Sequence, residues 1–232
     1  MRQPRFQIAL LLTLLLFWPF QNGFAGDLPV NLIPMYGGPE IVKSDEQKKA
    51  DEDFIKTVTK NSGSRQKASI EFAQEGWNQY KKGSLEDAML RFNQSWLLNP
   101  DNYLPYWGFG SILLKLFKPE EAIIHYERSL SLIDSTTEKP SLLNDTAIAY
   151  WISSILNRSK TVELQAKAES LFQQAVLLDP KYSKAYISWI DFYIDNKKYS
   201  KAWEIVKIAR KADIKDLPQA RINALAEKMP EP

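Results

Sequence analysis

Any chemistry performed by this chain must come from carboxylates, hydroxyls and one imidazole. The sequence holds a single histidine, His125, and no cysteine. There is therefore no thiol nucleophile, thiolate metal site, disulfide or lipid-bearing N-terminal cysteine. A hydrolase needs a nucleophile, a base and an orienting group brought together, and His125 falls on a predicted helix in a place suited to packing or solvent. Gly108-Phe109-Gly110-Ser111 has the look of a phosphate loop but lacks a third glycine and a preceding strand. The acidic runs Glu120-Glu121 and Asp51-Glu52-Asp53 fit helix first turns and exposed faces, where negative charge favours the N-terminus. No catalytic residue, cofactor site or metal site is expected.

Composition narrows the field further. Apolar residues make up 44% and charged residues 25%, enough for a sizeable core. Lys and Arg number 30 against 28 Asp and Glu, and Arg2 and Arg5 account for the excess. That balance gives no electrostatic footprint for nucleic acid.

Arg2 and Arg5 precede the apolar run Ile8–Trp18, and Gly23-Phe24-Ala25 offers small residues before Gly26. Those are the three parts of a secretory signal peptide over 1–25, cut after Ala25. The rival is an uncleaved anchor, although the run spans only about 16 Å against roughly 30 Å of hydrocarbon. Cleavage would leave no integral membrane segment and a periplasmic or secreted product.

Beyond the leader, a spacing of 34 residues organises the chain. Phe72, Gly76, Ala88, Phe92, Ser95 and Leu98 recur as Tyr106, Gly110, Ala122, Tyr126, Ser129 and Leu132. Ala168, Phe172 and Ala175 recur as Ala202, Val206 and Ala209. The spacing divides the chain into four units: 69–102, 103–136, 140–182 with an insertion, and 183–216. Small residues at the Gly and Ala positions let paired helices approach closely. Pro100 and Pro180 end second helices, because proline cannot sit inside them.

On these residues the chain resembles the tetratricopeptide repeat (TPR) family, whose unit is a 34-residue helix-turn-helix. The first unit departs from the family pattern at Glu75 and Gln79, and the third shows a clean second helix (Ala168, Phe172, Ala175, Pro180) after a longer turn or extra helical residues. The resemblance implies an all-α, TPR-type helical-hairpin solenoid with an N-terminal helix over 44–62 and a C-terminal capping helix and tail over 217–232. Solenoid ends need such protection. The stretch 26–43 is too rich in Pro and Gly for a helix and too apolar for a solvated linker. It reads as an extended arm, packed on its own solenoid or docked on a partner or second copy, with plain disorder as the remaining alternative.

In the family the first helices line a concave binding face. The matching positions here hold Ile70, Ala73, Trp77 and Tyr80; Leu104, Trp107, Ser111 and Leu114; Ser141, Asn144, Ile148 and Trp151; and Lys184, Ile187, Asp191 and Ile194. Trp77, Tyr80, Trp107, Leu114, Asn144, Trp151, Ile187 and Asp191 are the candidate partner-binding groove, suited to an apolar or aromatic segment. The alternative is that these aromatics pack internally. Ala73, Trp77 and Gly108 stand where a carboxylate-clamping TPR needs polar donors. The expected role is a non-enzymatic interaction module, an exported adaptor or scaffold for a protein or peptide partner. The competing role is a self-assembling envelope component, homo-oligomeric, with its groove filled by the arm.

Overall fold

A computed structural model describes residues 28–36 and 43–232. The signal peptide expected over 1–25 and part of the arm lie outside the described residues. Asn31 to Pro232 make up one structural unit.

Ten α-helices make up the described fold. Helix α1 (Asp45–Ser62) opens on a capping box: Ser44 Oγ accepts from the Gln47 N–H, and Gln47 Oε1 accepts from the Ser44 N–H. Gly63, in the left-handed region at φ 87°, ends it. Four hairpins come next: α2 (Arg65–Lys82) with α3 (Leu85–Leu98), α4 (Tyr103–Lys115) with α5 (Pro119–Leu132), α6 (Lys139–Leu156) with α7 (Thr161–Leu178), and α8 (Ser183–Asp195) with α9 (Tyr199–Lys211). Helix α10 (Gln219–Lys228) packs on α9. Each first helix also touches the next first helix, α2 on α4, α4 on α6 and α6 on α8, so these four build one continuous face.

The inserted residues of the third unit appear as length. Helices α6 and α7 each run 18 residues, against 13 and 14 in the second unit, with a 3-10 turn at Arg158–Lys160 between them. Among the described residues, no helix is long and apolar enough to cross a membrane.

The 34-residue spacing reappears as repeated contacts. Ala88, Ala122, Ala168 and Ala202 are wholly buried where the paired helices meet. The Phe92 ring lies between two glycines. A Cβ placed on Gly76 would come within 2.6 Å of it, and one on Gly108 within 2.4 Å. Neither position has room for a methyl group without displacing the ring. Serines hold the helices in register: Ser95 Oγ donates to Ser69 O at 2.7 Å, and Ser129 Oγ to Tyr103 O at 2.9 Å. The equivalent turn residues Gly83, Phe117 and Lys197 all have positive φ, so a conformation natural to glycine is imposed on two larger residues.

Residues 28–36 and 43, with a 3-10 turn at Val30–Leu32, are the described part of the arm. Asn93 on α3 grips it twice, donating from Nδ2 to Ile33 O (3.0 Å) and accepting at Oδ1 from Met35 N–H (2.7 Å). Tyr36 then stands edge-on to Tyr106, with ring centroids 4.9 Å apart, and near Trp96 and His125.

Candidate functional site

The face built by the first helices carries a row of aromatics. Trp77, on α2, stands edge-to-face against Tyr80 (5.6 Å between centroids), Phe92 (5.3 Å) and Trp107 of α4 (5.4 Å). Such pairs favour this tilted geometry because the ring edge is positive and its face negative. Beside them opens a cleft of about 350 Å³. Trp77 and Tyr80 form one wall, Ser111, Leu114 and Lys115 of α4 another, and Asp145 and Ile148 of α6 a third, with Tyr126 also reaching it. The volume falls in the range of ligand-sized clefts.

Hydrogen bonds fix the cleft's polar groups. Trp107 Nε1–H donates to Asp145 Oδ2 at 2.8 Å, tying α4 to α6. Tyr126 Oη lies 3.2 Å from Ser111 Oγ, and Ser111 Oγ donates to Trp107 O at 2.9 Å. Lys115 Nζ sits 5.2 Å above the Tyr80 ring, a cation over its negative face. Burial pushes the Asp145 carboxyl up to about 6, opposed by hydrogen bonds from Trp107 and Asn144 and by the positive field of Lys184. Burial also raises the Tyr80 and Tyr126 phenols, with Asp145 adding to it, so both stay neutral across the physiological range.

This carboxylate makes a prediction about stability. In the unfolded chain Asp145 titrates near 3.8, in the folded protein near 6. The folded state therefore retains a proton that the unfolded state has released, and stability falls as pH rises from about 4 to about 6. Asp145→Asn keeps an acceptor for Trp107 without the buried charge. It is expected to stabilise the protein at pH 7.5 by roughly 1–3 kcal/mol, a gain that vanishes near pH 4. Urea titrations at the two pH values check this; a gain equal at both would show that the charge is not its source.

The eight residues marked out by sequence divide in the structure. Trp77, Tyr80 and Leu114 line the cleft, and Trp107 stands beside it, against Trp77 and bonded to Asp145. Asn144 is buried on α6, its Nδ2 3.5 Å from Asp145 Oδ1 and its own Oδ1 without a protein partner. Trp151 turns its ring edge-on to Phe192 of α8, centroids 6.0 Å apart, with a buried, unpartnered indole N–H. Ile187 is partly exposed on α8. Asp191 is ion-paired with Arg221 of α10, so the capping helix supplies its counter-charge from within the chain. Burial still pushes the Asp191 carboxyl up to about 6, against the pull of Arg221. His125 is 3% exposed and packed 5.4 Å from the Phe109 ring. Burial lowers it to about 4, so at neutral pH it is an uncharged packing residue. Among the described residues, no three His, Asp or Glu side chains cluster to hold a metal ion.

Asp145, Lys115 and Tyr126 are cleft residues that the repeat positions did not mark out. Asp145 carried a usable signal: a lone carboxylate inside Leu142-Leu143-Asn144-Asp145-Thr146-Ala147, a stretch otherwise patterned for burial.

The helix pairing, repeated contacts and single first-helix face define an all-α solenoid of the tetratricopeptide-repeat type. In sequence, the chain is 28% identical over 178 residues to tetratricopeptide repeat protein 6 of Homo sapiens, a match covering 77% of this chain. It spans 30% of the length of that curated relative. In structure it is similar to MamA (17% identity, TM-score 0.50, 75% of this chain and 96% of that one). It is also similar to YrrB, a TPR protein with an unusual peptide-binding site (18% identity, TM-score 0.52, 78% and 84%). No protein-family model matches the chain.

Proposed function

We propose that this chain is an exported, non-enzymatic adaptor that holds a peptide segment of an envelope protein against the face of its first helices. The observation that carries the reading is the cleft between α2, α4 and α6, where Trp77, Tyr80 and Leu114 stand partly exposed beside a fixed carboxylate. Aromatic residues arranged this way are the usual anchors of binding hot spots. A peptide-binding site on YrrB, which shares the fold, supports it. The basic, apolar, small-residue pattern of residues 1–25 supports export to the periplasm or outside the cell, and N-terminal sequencing of the exported product should begin at Gly26. The balanced charge argues for a protein partner rather than nucleic acid.

The self-assembly reading, with the groove filled by the arm, draws no support from the described part of the arm. Ile33 and Met35 are held by Asn93 and Tyr36 packs near Trp96, Tyr106 and His125, and none of these residues lines the cleft. A crosslinked pull-down from envelope extract separates the two, using the exported protein beside a Leu114→Arg variant of unchanged helicity. A partner captured by the first and lost by the second is expected. Capture equal in both, or only of a second copy, would overturn the groove reading.

A further inference from the structure

An apolar ligand accounts for Trp77, Tyr80, Leu114 and Ile148 but not for Asp145. Its carboxylate lines the cleft, accepts one short hydrogen bond from Trp107 (2.8 Å) and a long one from Asn144 (3.5 Å). Among the described residues, no lysine or arginine pairs with it. A neutral amide at this position would still accept from the Trp107 N–H, more weakly, but without the cost of desolvating a charge. The Asp145 charge, supported inside the chain by hydrogen bonds and the field of Lys184 but by no ion pair, is open to a cation entering the cleft. Next to it stand the rings of Trp77 and Tyr80, whose faces attract cations. A carboxylate flanked by aromatic walls is complementary to a flat, delocalised cation that can stack and fork at once.

We infer that, within the groove reading on which this rests, the cleft receives an arginine side chain of an extended partner segment, its guanidinium on Asp145 and against Trp77 and Tyr80. Apolar residues flanking that arginine cover Leu114 and Ile148. Lys115 lies over the Tyr80 ring at the cleft, where the incoming cation must compete with it. The groups facing Asp145 are Lys115 and Trp107 of α4, Tyr80 of α2, Tyr126 of α5, Lys184 of α8, and Tyr182 ahead of α8. Burial raises the phenols, so they stay neutral between pH 5 and 8, while the Asp145 carboxyl, lifted to about 6, titrates there. Capture of the cation weakens as pH falls through about 6, by about tenfold between pH 7.5 and 5.

Selection of a randomised eight-residue peptide display library on the exported protein, and in parallel on Asp145→Asn, tests the inference. Arginine enriched on the first and lost on the second is the expected result. For the best binder, replacing its arginine by citrulline should weaken binding about tenfold or more on the wild type, and under about twofold on Asp145→Asn. Lys115→Gln should tighten the arginine peptide. Selected peptides lacking a basic residue, yet blocked by Leu114→Arg, would overturn the arginine site and leave the groove standing. No selection by the wild type would overturn both.

Discussion

Phe92→Ala is expected to cost about 3–5 kcal/mol, concentrated in the first two hairpins. The ring is wholly buried and bounded by Gly76, Gly108, Trp77 and Phe109. Its removal leaves a cavity that stiff, closely paired helices cannot collapse. Because neighbouring units of a solenoid are coupled only pairwise, urea unfolding followed by tryptophan fluorescence should separate an early N-terminal transition from a later C-terminal one. The same site contains its own control. Gly108→Ala alone forces a Cβ to 2.4 Å from the ring and should destabilise by about 1–3 kcal/mol. In the Phe92→Ala background that clash is gone, and alanine's better helix propensity, about 1 kcal/mol, should make the same change stabilising. Simple additivity of the two substitutions would refute the interlock.

Trp203→Ala should release the C-terminal cap. The ring is 1% exposed, and its Nε1–H donates to Met229 O at 3.0 Å, just past the end of α10. On the same helix, Lys207 donates to Pro232 O and Arg210 pairs with Glu231. Ile222 and Leu225 are the buried residues of α10, which is also tied to α8 by the Asp191–Arg221 pair. A loss of about 3–5 kcal/mol is expected, together with rapid proteolysis of residues 217–232. Trp203→Phe retains most of the burial but abandons the Met229 carbonyl, and should cost about 1 kcal/mol beyond the smaller ring. An unchanged cleavage pattern in the alanine variant would mean that α10 is held by other contacts, the Asp191–Arg221 pair first among them.

The fold was legible because its determinants repeat. Gly76 and Gly110, Ala88 and Ala122, Phe92 and Tyr126, Ser95 and Ser129 occupy equivalent places, and each pair makes an equivalent contact. Periodicity turns tertiary packing into a local pattern, which is why an α-solenoid can be read from one sequence. The cleft was less legible. Trp77, Tyr80, Trp107 and Leu114 could be placed on a face by register within regular hairpins. The third unit, with both helices lengthened, keeps that register only in part: Ile148 lines the cleft at its marked position. Asp145, one residue beyond Asn144, is the other side chain that reaches the cleft, while Trp151 meets Phe192. The pairing of Asp191 with Arg221 joins residues 30 apart across a cap that belongs to no repeat. No periodic signal foretells such a contact.

The double grip of Asn93 on the arm has a consequence for how this chain can change over time. Both hydrogen bonds end on main-chain atoms, Ile33 O and Met35 N. Every residue supplies a carbonyl, and every residue except proline supplies an N–H. At these two positions the clasp is blind to side-chain identity, forbidding only proline at 35. The clamped segment is thus free to drift there, while the amide that clasps it is not: aspartate at 93 would forfeit the donor, leucine both bonds. Selection on this contact falls on α3 and spares the segment it holds.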